Sequence, residues 1–307
     1  MNDYKNQIGL IGTDDSGVCL LRNLTRNCFS VNVYDSTKKN YESLRSEGFT
    51  CFDSVEAMLN NFYGQIIIML NGNWNNKTEY TFNSLLDLLP ERSIIIDATN
   101  SGQEIILTNL RKCKKRNLGY IDVSFIGTLD DLTWGPSLLV GGDVQLFNYL
   151  EPIFNQINSD KKVFYFDSIG SSHYLKNIHD GIENSFVQSV IEGLALVQKS
   201  PHNFDTKKTL TFFKDASLLK GRVLDLISKS FLIDSKENTN NINGHQLLAE
   251  HSVYLNIVVK DLITVTQKTP TLSTACFSSL NLISTFDTFS KTVFCNYLKM
   301  KKFVDED

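Results

Sequence analysis

Four side chains in residues 176–183 have the types and spacing for acid–base chemistry. Lys176, His179, Asp180 and Glu183 stand at i, i+3, i+4 and i+7 in a segment that has helical character from about residue 170 to Lys199. On a helix this spacing stacks the four side chains along one face over two turns. A base, an acid and two hydrogen-bonding groups on one rigid face suit work on a bound small molecule.

A purely structural interpretation fits the same residues. Lys176 and Asp180 at i, i+4 are also typical of a surface ion pair, which stabilises a helix by about 0.2–0.5 kcal/mol. His179 is equally typical of a partly buried histidine whose hydrogen bonds are satisfied. These four residues alone leave both interpretations open, so the elements that position them have to decide.

Strand-like and helical segments alternate over roughly the first half of the chain. Of the 17 glycines, 13 lie in the first 170 residues, as a domain with many tight turns requires. The alternation predicts an α/β fold, a Rossmann-like doubly wound parallel sheet in residues 1–168, followed by an all-α domain in residues 169–307. The predicted strands are 7–11, 31–35, 49–52, 64–70, 93–97, 118–122, 137–140 and 162–166.

The first strand leads into a glycine-rich turn of the kind that binds dinucleotides. Gly12 and Gly17 match the first and last glycines of the pattern, and Asp14 replaces the middle one. An aspartate there adds bulk and negative charge where a pyrophosphate would meet a helix N-terminus. Asp35 ends the second strand, where an acid binds the ribose 2′-hydroxyl, which favours NAD over NADP. A Rossmann-like domain that no longer binds nucleotide is the alternative.

Several longer stretches make the chain resemble the 6-phosphogluconate dehydrogenases, within the β-hydroxyacid dehydrogenase group, and most of all their short, often NAD-linked form. The resemblance covers nearly the whole length and weakens after about residue 238. Its longest match runs from His173 to Glu183, HYLKNIHDGIE. The other matching stretches are residues 8–12, 94–101, 135–142 and 150–154.

The resemblance implies a reaction and a set of residues. These enzymes transfer a hydride from a sugar-acid C3 hydroxyl to the nicotinamide and then decarboxylate the keto acid. By resemblance, Lys176 is the base and then the acid, and Glu183 supplies a later proton. The implied substrate-binding residues are Asn100, Gly127, Thr128, His179, Asp180 and Lys220. The implied cofactor-binding residues are Gly9, Gly12, Asp14, Gly17, Asp35, Ser36, Thr37, Leu70, Asn71 and Asn100.

The chain departs from the family pattern beside the base, in the substrate loop and at the groups that bind phosphate. Asp180 stands for an asparagine, Asn184 for a tyrosine and Lys220 for an arginine, and the stretch 126–128 lacks the serine of the family's Ser-Gly-Gly loop. An arginine cluster expected at residues 279–283 is also missing. Because a phosphate dianion needs such donors, we predict an NAD(P)-dependent dehydrogenase for another hydroxy acid. A diverged 6-phosphogluconate dehydrogenase of the pentose phosphate pathway and a non-catalytic relative are the alternatives.

Composition limits the ligands and partners that the chain can be expected to bind. A net charge of −4 and a pI of about 5.8 argue against nucleic acid, and no apolar run reaches the roughly 18 residues of a membrane span. Six scattered cysteines are typical of reduced cytoplasmic thiols, and no zinc-binding spacing appears, so we expect no metal. The resemblance implies that residues 169–307 form a substrate and dimerisation domain. Helical apolar spacing between residues 272 and 298 suits a dimer face, although it also suits an internal core, and we expect a homodimer or larger homo-oligomer.

Overall fold

A computed structural model describes residues 7–158, 162–230 and 288–302 of the chain. The chain divides into two compact units, Met1–Lys176 and Asn177–Asp307.

The first unit is built on an eight-stranded sheet with strand order β3-β2-β1-β4-β5-β6-β7-β8. All pairings are parallel except β6 with β7. Only residues 127–136 connect those two strands, fewer than the dozen or more that a parallel crossover needs. The predicted doubly wound fold is therefore confirmed, with one antiparallel pair that the sequence did not indicate. The strands are β1 Gln7–Ile11, β2 Ser30–Tyr34, β3 Thr50–Phe52, β4 Ile67–Asn73, β5 Ile94–Asn100, β6 Gly119–Ile126, β7 Ser137–Gly141 and β8 Val163–Phe166.

Helices alternate with these strands. Three of them begin at an aspartate or serine whose side chain accepts a backbone N–H, as helix N-termini require: Asp14, Ser54 and Asp143. The short helix α6 was not predicted, because its apolar residues are too few to show a period. The helices are α1 Asp15–Arg26, α2 Tyr41–Ser46, α3 Val55–Leu59, α4 Asn76–Leu88, α5 Gln103–Lys115, α6 Leu129–Trp134 and α7 Val144–Ile157.

Both faces of the sheet are buried. Along β4, Ile67 and Met69 belong to one apolar cluster, while Ile68 and Leu70 belong to a second. Side chains alternate between the faces of a strand, so the two clusters lie on opposite sides of the sheet. The nearly continuous apolar strands thus follow from helices covering both faces.

The second unit is helical in its described part. Helix α8, Ser171–Lys199, runs into it from the first unit, and α9 Thr206–Thr211, a π-helical turn Phe212–Ala216, α10 Arg222–Ser230 and α11 Thr288–Lys302 follow. None of the described helices combines the length and apolar content of a bilayer span. Of the residues predicted for a dimer face, Val293, Phe294 and Leu298 lie in the core of this unit. Positions 272–286 fall outside the described residues, so the homodimer stays a prediction.

Candidate functional site

The glycine-rich turn lies where the strand order reverses, between β1 and β4, which is where open α/β sheets bind ligands. Gly12 has φ +100°, and a Cβ on it would lie 2.3 Å from the backbone oxygen of Asn71. A Cβ on Gly17 would lie 2.1 Å from the backbone oxygen of Gly12. Both positions therefore demand glycine, because the turn packs directly against β4 and α1. Gly9 lies inside β1, where a Cβ would meet Ile68 at 2.5 Å, so it serves sheet packing.

Asp14 occupies the helix N-terminus that would face a pyrophosphate. Its Oδ1 accepts hydrogen bonds from Gly17 N–H (2.9 Å), the Ser16 hydroxyl (2.7 Å) and the Asn71 side-chain amide (2.9 Å). The carboxylate thus supplies, from within the chain, the anion that a helix N-terminus favours. Its side chain is exposed, so it can move aside without opening the core.

Asp35 ties the end of β2 to the same turn. Its Oδ2 accepts from the backbone and hydroxyl of Thr13 (2.7 and 2.9 Å), and its Oδ1 accepts from the backbone and hydroxyl of Thr37 (2.6 and 2.7 Å). Burial alone would raise the pKa of Asp35, but these bonds to the charged form hold that pKa below its ordinary value. Thr13 is buried, whereas Thr37 and Ser36 are exposed. Only the Oδ1 side can therefore exchange a partner for a ligand.

The amide side chains at the carboxyl ends of β4 and β5 contact one another. Asn73 and Asn100 are register partners, and the Asn100 amide donates to Asn73 Oδ1 at 3.1 Å. Asn71, two residues earlier on β4, reaches Asp14 as described above. Leu70 is buried in the sheet core, so any cofactor contact it makes would use its backbone.

A buried aspartate anchors the start of α8. Asp122 on β6 accepts hydrogen bonds from the backbone N–H of Gly170 (2.7 Å) and Ser172 (3.1 Å), and a longer one from that of His173 (3.4 Å). The His173 ring continues this contact, with Nδ1 3.3 Å from Asp122 Oδ2 and Nε2 2.7 Å from the backbone oxygen of Thr99. Asp122 and His173 therefore fix the first turn of α8 against the ends of β5 and β6.

Both ring nitrogens of His173 face acceptors, so we assign a proton to each. A carbonyl oxygen can only accept, which makes Nε2 a donor to Thr99, and the Asp122 carboxylate accepts from Nδ1. Burial would lower the pKa of His173, but Asp122 outweighs it and the net shift is upward. The upward shift favours the imidazolium form of His173, which pairs with Asp122 in the interior, three residues before Lys176 on the same helix.

Helix α8 is continuous, so the predicted spacing of Lys176, His179, Asp180 and Glu183 holds. His179 Nδ1 lies 2.9 Å from Asp180 Oδ1, and this hydrogen bond is the main reason why the pKa of His179 is raised. In the second unit Glu183 Oε1 accepts from the Tyr297 hydroxyl and from Lys301 Nζ (2.6 Å). Glu183 thus has a local cationic partner, and the partner of Asp180 is cationic when His179 is protonated.

Three ligand-type side chains on α8 lie close enough to bind one cation. Single ligand atoms of His179, Asp180 and Glu183 lie within 4.8 Å of one another. Lys301 already contacts Glu183, and His179 contacts Asp180, so a metal ion would have to displace an ammonium group and break a hydrogen bond. We therefore assign no metal to them.

Of the remaining predicted substrate residues, Gly127 and Thr128 have structural contacts of their own. Thr128 caps α6 in a reciprocal pair with Asp131, whose Oδ2 accepts from the Thr128 backbone (2.6 Å) and hydroxyl (2.8 Å). Gly127 has φ +138°, and a Cβ on it would meet the Asp131 side chain at 2.6 Å. Lys220 is exposed ahead of α10. The Asn184 amide, which is buried, donates to the Asp180 backbone oxygen at 2.7 Å.

Asp122, Thr99, Tyr297 and Lys301 were not singled out from the sequence. An aspartate inside an apolar strand is a weak sequence signal of a buried polar contact, and Asp122 in β6 is such a residue. Tyr297 and Lys301 are separated from Glu183 by more than 110 positions, so no local pattern connects them.

Comparison with known proteins finds similar sequences. Residues 7–167, more than half of the chain, match the family described as the NAD-binding domain of 6-phosphogluconate dehydrogenase. A putative 6-phosphogluconate dehydrogenase of Bacillus subtilis is 23% identical over 230 residues, which are 75% of this chain and 77% of that protein. The decarboxylating 6-phosphogluconate dehydrogenase of Buchnera aphidicola is 28% identical over 247 residues, 77% of this chain but 52% of the relative.

Solved structures show the same fold. A 3-hydroxyisobutyrate dehydrogenase from Salmonella typhimurium superposes with a TM-score of 0.74 at 14% identity, covering 94% of this chain and 99% of that one. At this identity the likeness concerns the fold alone.

The buried ion pair generates a prediction. Asp122→Asn should lower the free energy of unfolding by about 3 kcal/mol at pH 6, because it leaves a buried imidazolium without its anion. A raised His173 pKa contributes stability below the unfolded pKa of about 6.5 and loses it as the pH rises through the folded value. The loss in Asp122→Asn should therefore be smaller at pH 9. Urea unfolding of both proteins at the two pH values measures it.

Asp143→Asn is the matched control, because Asp143 also accepts two backbone N–H groups at a helix start but is exposed. It should lose less stability, and equally at both pH values. An equal loss for Asp122→Asn at pH 6 and pH 9 would contradict the imidazolium assignment.

Proposed function

Because the chain belongs to the family defined by the NAD-binding domain of 6-phosphogluconate dehydrogenase, we propose that it is an NAD(P)-dependent oxidoreductase for a small hydroxy acid other than 6-phosphogluconate. One observation carries the proposal. His173 holds the backbone oxygen of Thr99, the neighbour of Asn100, and Lys176 follows one helical turn later. A candidate base is thereby kept near the carboxyl edge of the sheet, where this fold binds its ligands.

The residues at that edge fit a dinucleotide in two respects. Gly12 and Gly17 let the backbone of the turn approach a pyrophosphate closely. Asp35 Oδ1 can exchange its exposed partner Thr37 for a ribose hydroxyl, while Thr13 keeps Oδ2. Lys38 forms an ion pair with Asp53 (3.0 Å), so its charge is partly neutralised, which supports NAD over NADP. When bound, the nicotinamide would accept a hydride from the substrate.

Asp14 is the residue that opposes binding. A pyrophosphate on α1 would compete with the Asp14 carboxylate for Gly17 N–H and would meet its negative charge. Because Asp14 is exposed and can rotate away, we propose that it weakens cofactor binding without abolishing it.

In the proposed reaction Lys176 acts on the substrate hydroxyl. It would take the hydroxyl proton while Asn100 orients the substrate oxygen. His179 and Asp180 follow Lys176 along the same face of α8. Asn184 uses its amide within α8 and Lys220 lacks the fork of an arginine, so neither offers the bidentate donor that suits a phosphate. This favours an unphosphorylated hydroxy acid.

One prediction concerns cofactor binding. NAD at millimolar concentration should raise the melting temperature, because a ligand that binds only the native state stabilises it. Asp14→Asn keeps an acceptor for Gly17 N–H but removes the charge, so it should tighten the Kd for NAD about tenfold, equivalent to about 1.4 kcal/mol. Calorimetric titration with NAD and with NADP measures both constants.

Asp15→Asn is the control, because it removes the same charge one residue later, in the first turn of α1. It should change the Kd for NAD less than Asp14→Asn does. If neither dinucleotide raises the melting temperature of the wild-type protein, the chain is a non-catalytic relative and the oxidoreductase proposal fails.

Another prediction concerns Lys176. Lys176→Met should lower kcat by about 10²–10⁴-fold, the contribution of a general base, while the Kd for NAD stays unchanged. NADH formation with a panel of hydroxy acids, with and without a phosphate group, identifies the substrate on which to measure it. Lys199→Met removes a charge from the far end of the same helix and should leave kcat unaltered. Unchanged turnover in Lys176→Met would refute the assignment.

A further inference from the structure

Glu183 is enclosed by two donors from the last helix of the described chain. Tyr297 and Lys301 stand at i, i+4 on α11 and therefore share one face. Both donate to Glu183 Oε1, Lys301 from 2.6 Å. The Glu183 side chain is only 15% exposed and that of Lys301 35%, so this ion pair is partly shielded from water.

The charges around Glu183 favour its ionised form. Burial would raise the pKa of Glu183, but Lys301 and then Tyr297 outweigh burial and lower that pKa. Burial would lower the pKa of Lys301, but Glu183 and Asp180 raise it. Among the described residues, the titratable groups that face Glu183 are His179 and Asp180 on α8 and Tyr297 and Lys301 on α11. At neutral pH the pair is a carboxylate and an ammonium.

This state disagrees with a proton-donating role. A group that delivers a proton near pH 7 needs a pKa close to that pH, and carboxyl groups reach it by burial without a cation. Glu183 has the burial but also has the cation. A carboxylate so held accepts hydrogen bonds and carries no proton to give.

We propose that Lys301 and Tyr297 are positioning residues that keep Glu183 as an oriented carboxylate, which accepts a hydrogen bond from a substrate hydroxyl instead of donating a proton. The substrate contact rests on the proposed function, whereas the ionisation of Glu183 does not. Lys301 is the internal cation of this arrangement.

The ionisation is tested first, on the full chain without substrate. The carboxyl resonance of Glu183, assigned as the one lost in Glu183→Gln, is titrated by ¹³C NMR. In the wild-type protein its pKa should lie below the ordinary value of about 4.3. Lys301→Met should raise it by about one unit or more, Lys301→Arg should keep it low, and Tyr297→Phe should raise it less. Lys299→Met, which removes a charge from the same helix two residues earlier, should leave it unchanged.

Unfolding measurements give an independent reading. A lowered carboxyl pKa contributes stability above the unfolded value and loses it as the pH falls through the folded value. The stability difference between wild type and Lys301→Met should therefore shrink between pH 6 and pH 3. A wild-type Glu183 pKa at or above the ordinary value, or one that Lys301→Met leaves in place, would overturn the proposal.

The role in turnover is tested on the substrate found in the hydroxy-acid panel. In Lys301→Met the acidic limb of the kcat/KM profile should move to higher pH, and Lys301→Arg should restore it. If Lys301→Met shifts the pKa of Glu183 but leaves the acidic limb of the kcat/KM profile in place, Lys301 has only a structural role. That result would overturn the proposed contact between Glu183 and the substrate. Absence of turnover in the wild-type protein would instead refute the oxidoreductase function, while the titration still decides how Glu183 is ionised.

Discussion

The contact between Asp122 and His173 is the one on which the proposed active site depends. It joins the N-terminus of α8 to β6 and, through the backbone oxygen of Thr99, to β5. A buried ion pair is favourable only when its remaining donors and acceptors are satisfied. Here the carboxylate accepts three backbone N–H groups and the imidazolium uses both of its own. The start of α8 is therefore held in one orientation, and this orientation determines the position of Lys176 one helical turn later.

Elsewhere in the chain, charged side chains fill positions that ligands would otherwise neutralise. The Asp14 carboxylate sits on the helix N-terminus at the glycine-rich turn, and the Lys301 ammonium sits beside Glu183. Each internal group lowers the cost of leaving a polar position without a ligand. Each also raises the binding free energy that a ligand must supply, because the ligand has to replace an existing interaction. The chain thus keeps the outline of a dinucleotide-dependent enzyme and alters the electrostatics in which it would operate.

The sheet and the position of the glycine-rich turn followed from the sequence, because apolar runs buried on both faces and turn glycines leave local patterns. The antiparallel β7 did not, since its direction depends on the length of one connection. Asp14 was recognised as an obstacle, but its role as the cap of α1 needed the contacts with Gly17 and Asn71. The partners of Glu183 lie beyond any local pattern, because they come from α11. Local physics thus predicts the elements, while the ionisation of the site depends on contacts distant in sequence.

The link between Asp35 and the turn has a consequence for altering cofactor preference. The carboxylate that would recognise the ribose also holds the backbone of Thr13, between Gly12 and Asp14. The same carboxylate therefore determines both the recognition of the adenosine half and the conformation of the phosphate-binding loop. An exchange at position 35 that introduces a positive charge for a 2′-phosphate would release the loop as well. Any conversion to the other dinucleotide must rebuild the anchor of Thr13 at the same time, which makes single substitutions an inefficient route for evolution and for protein engineering.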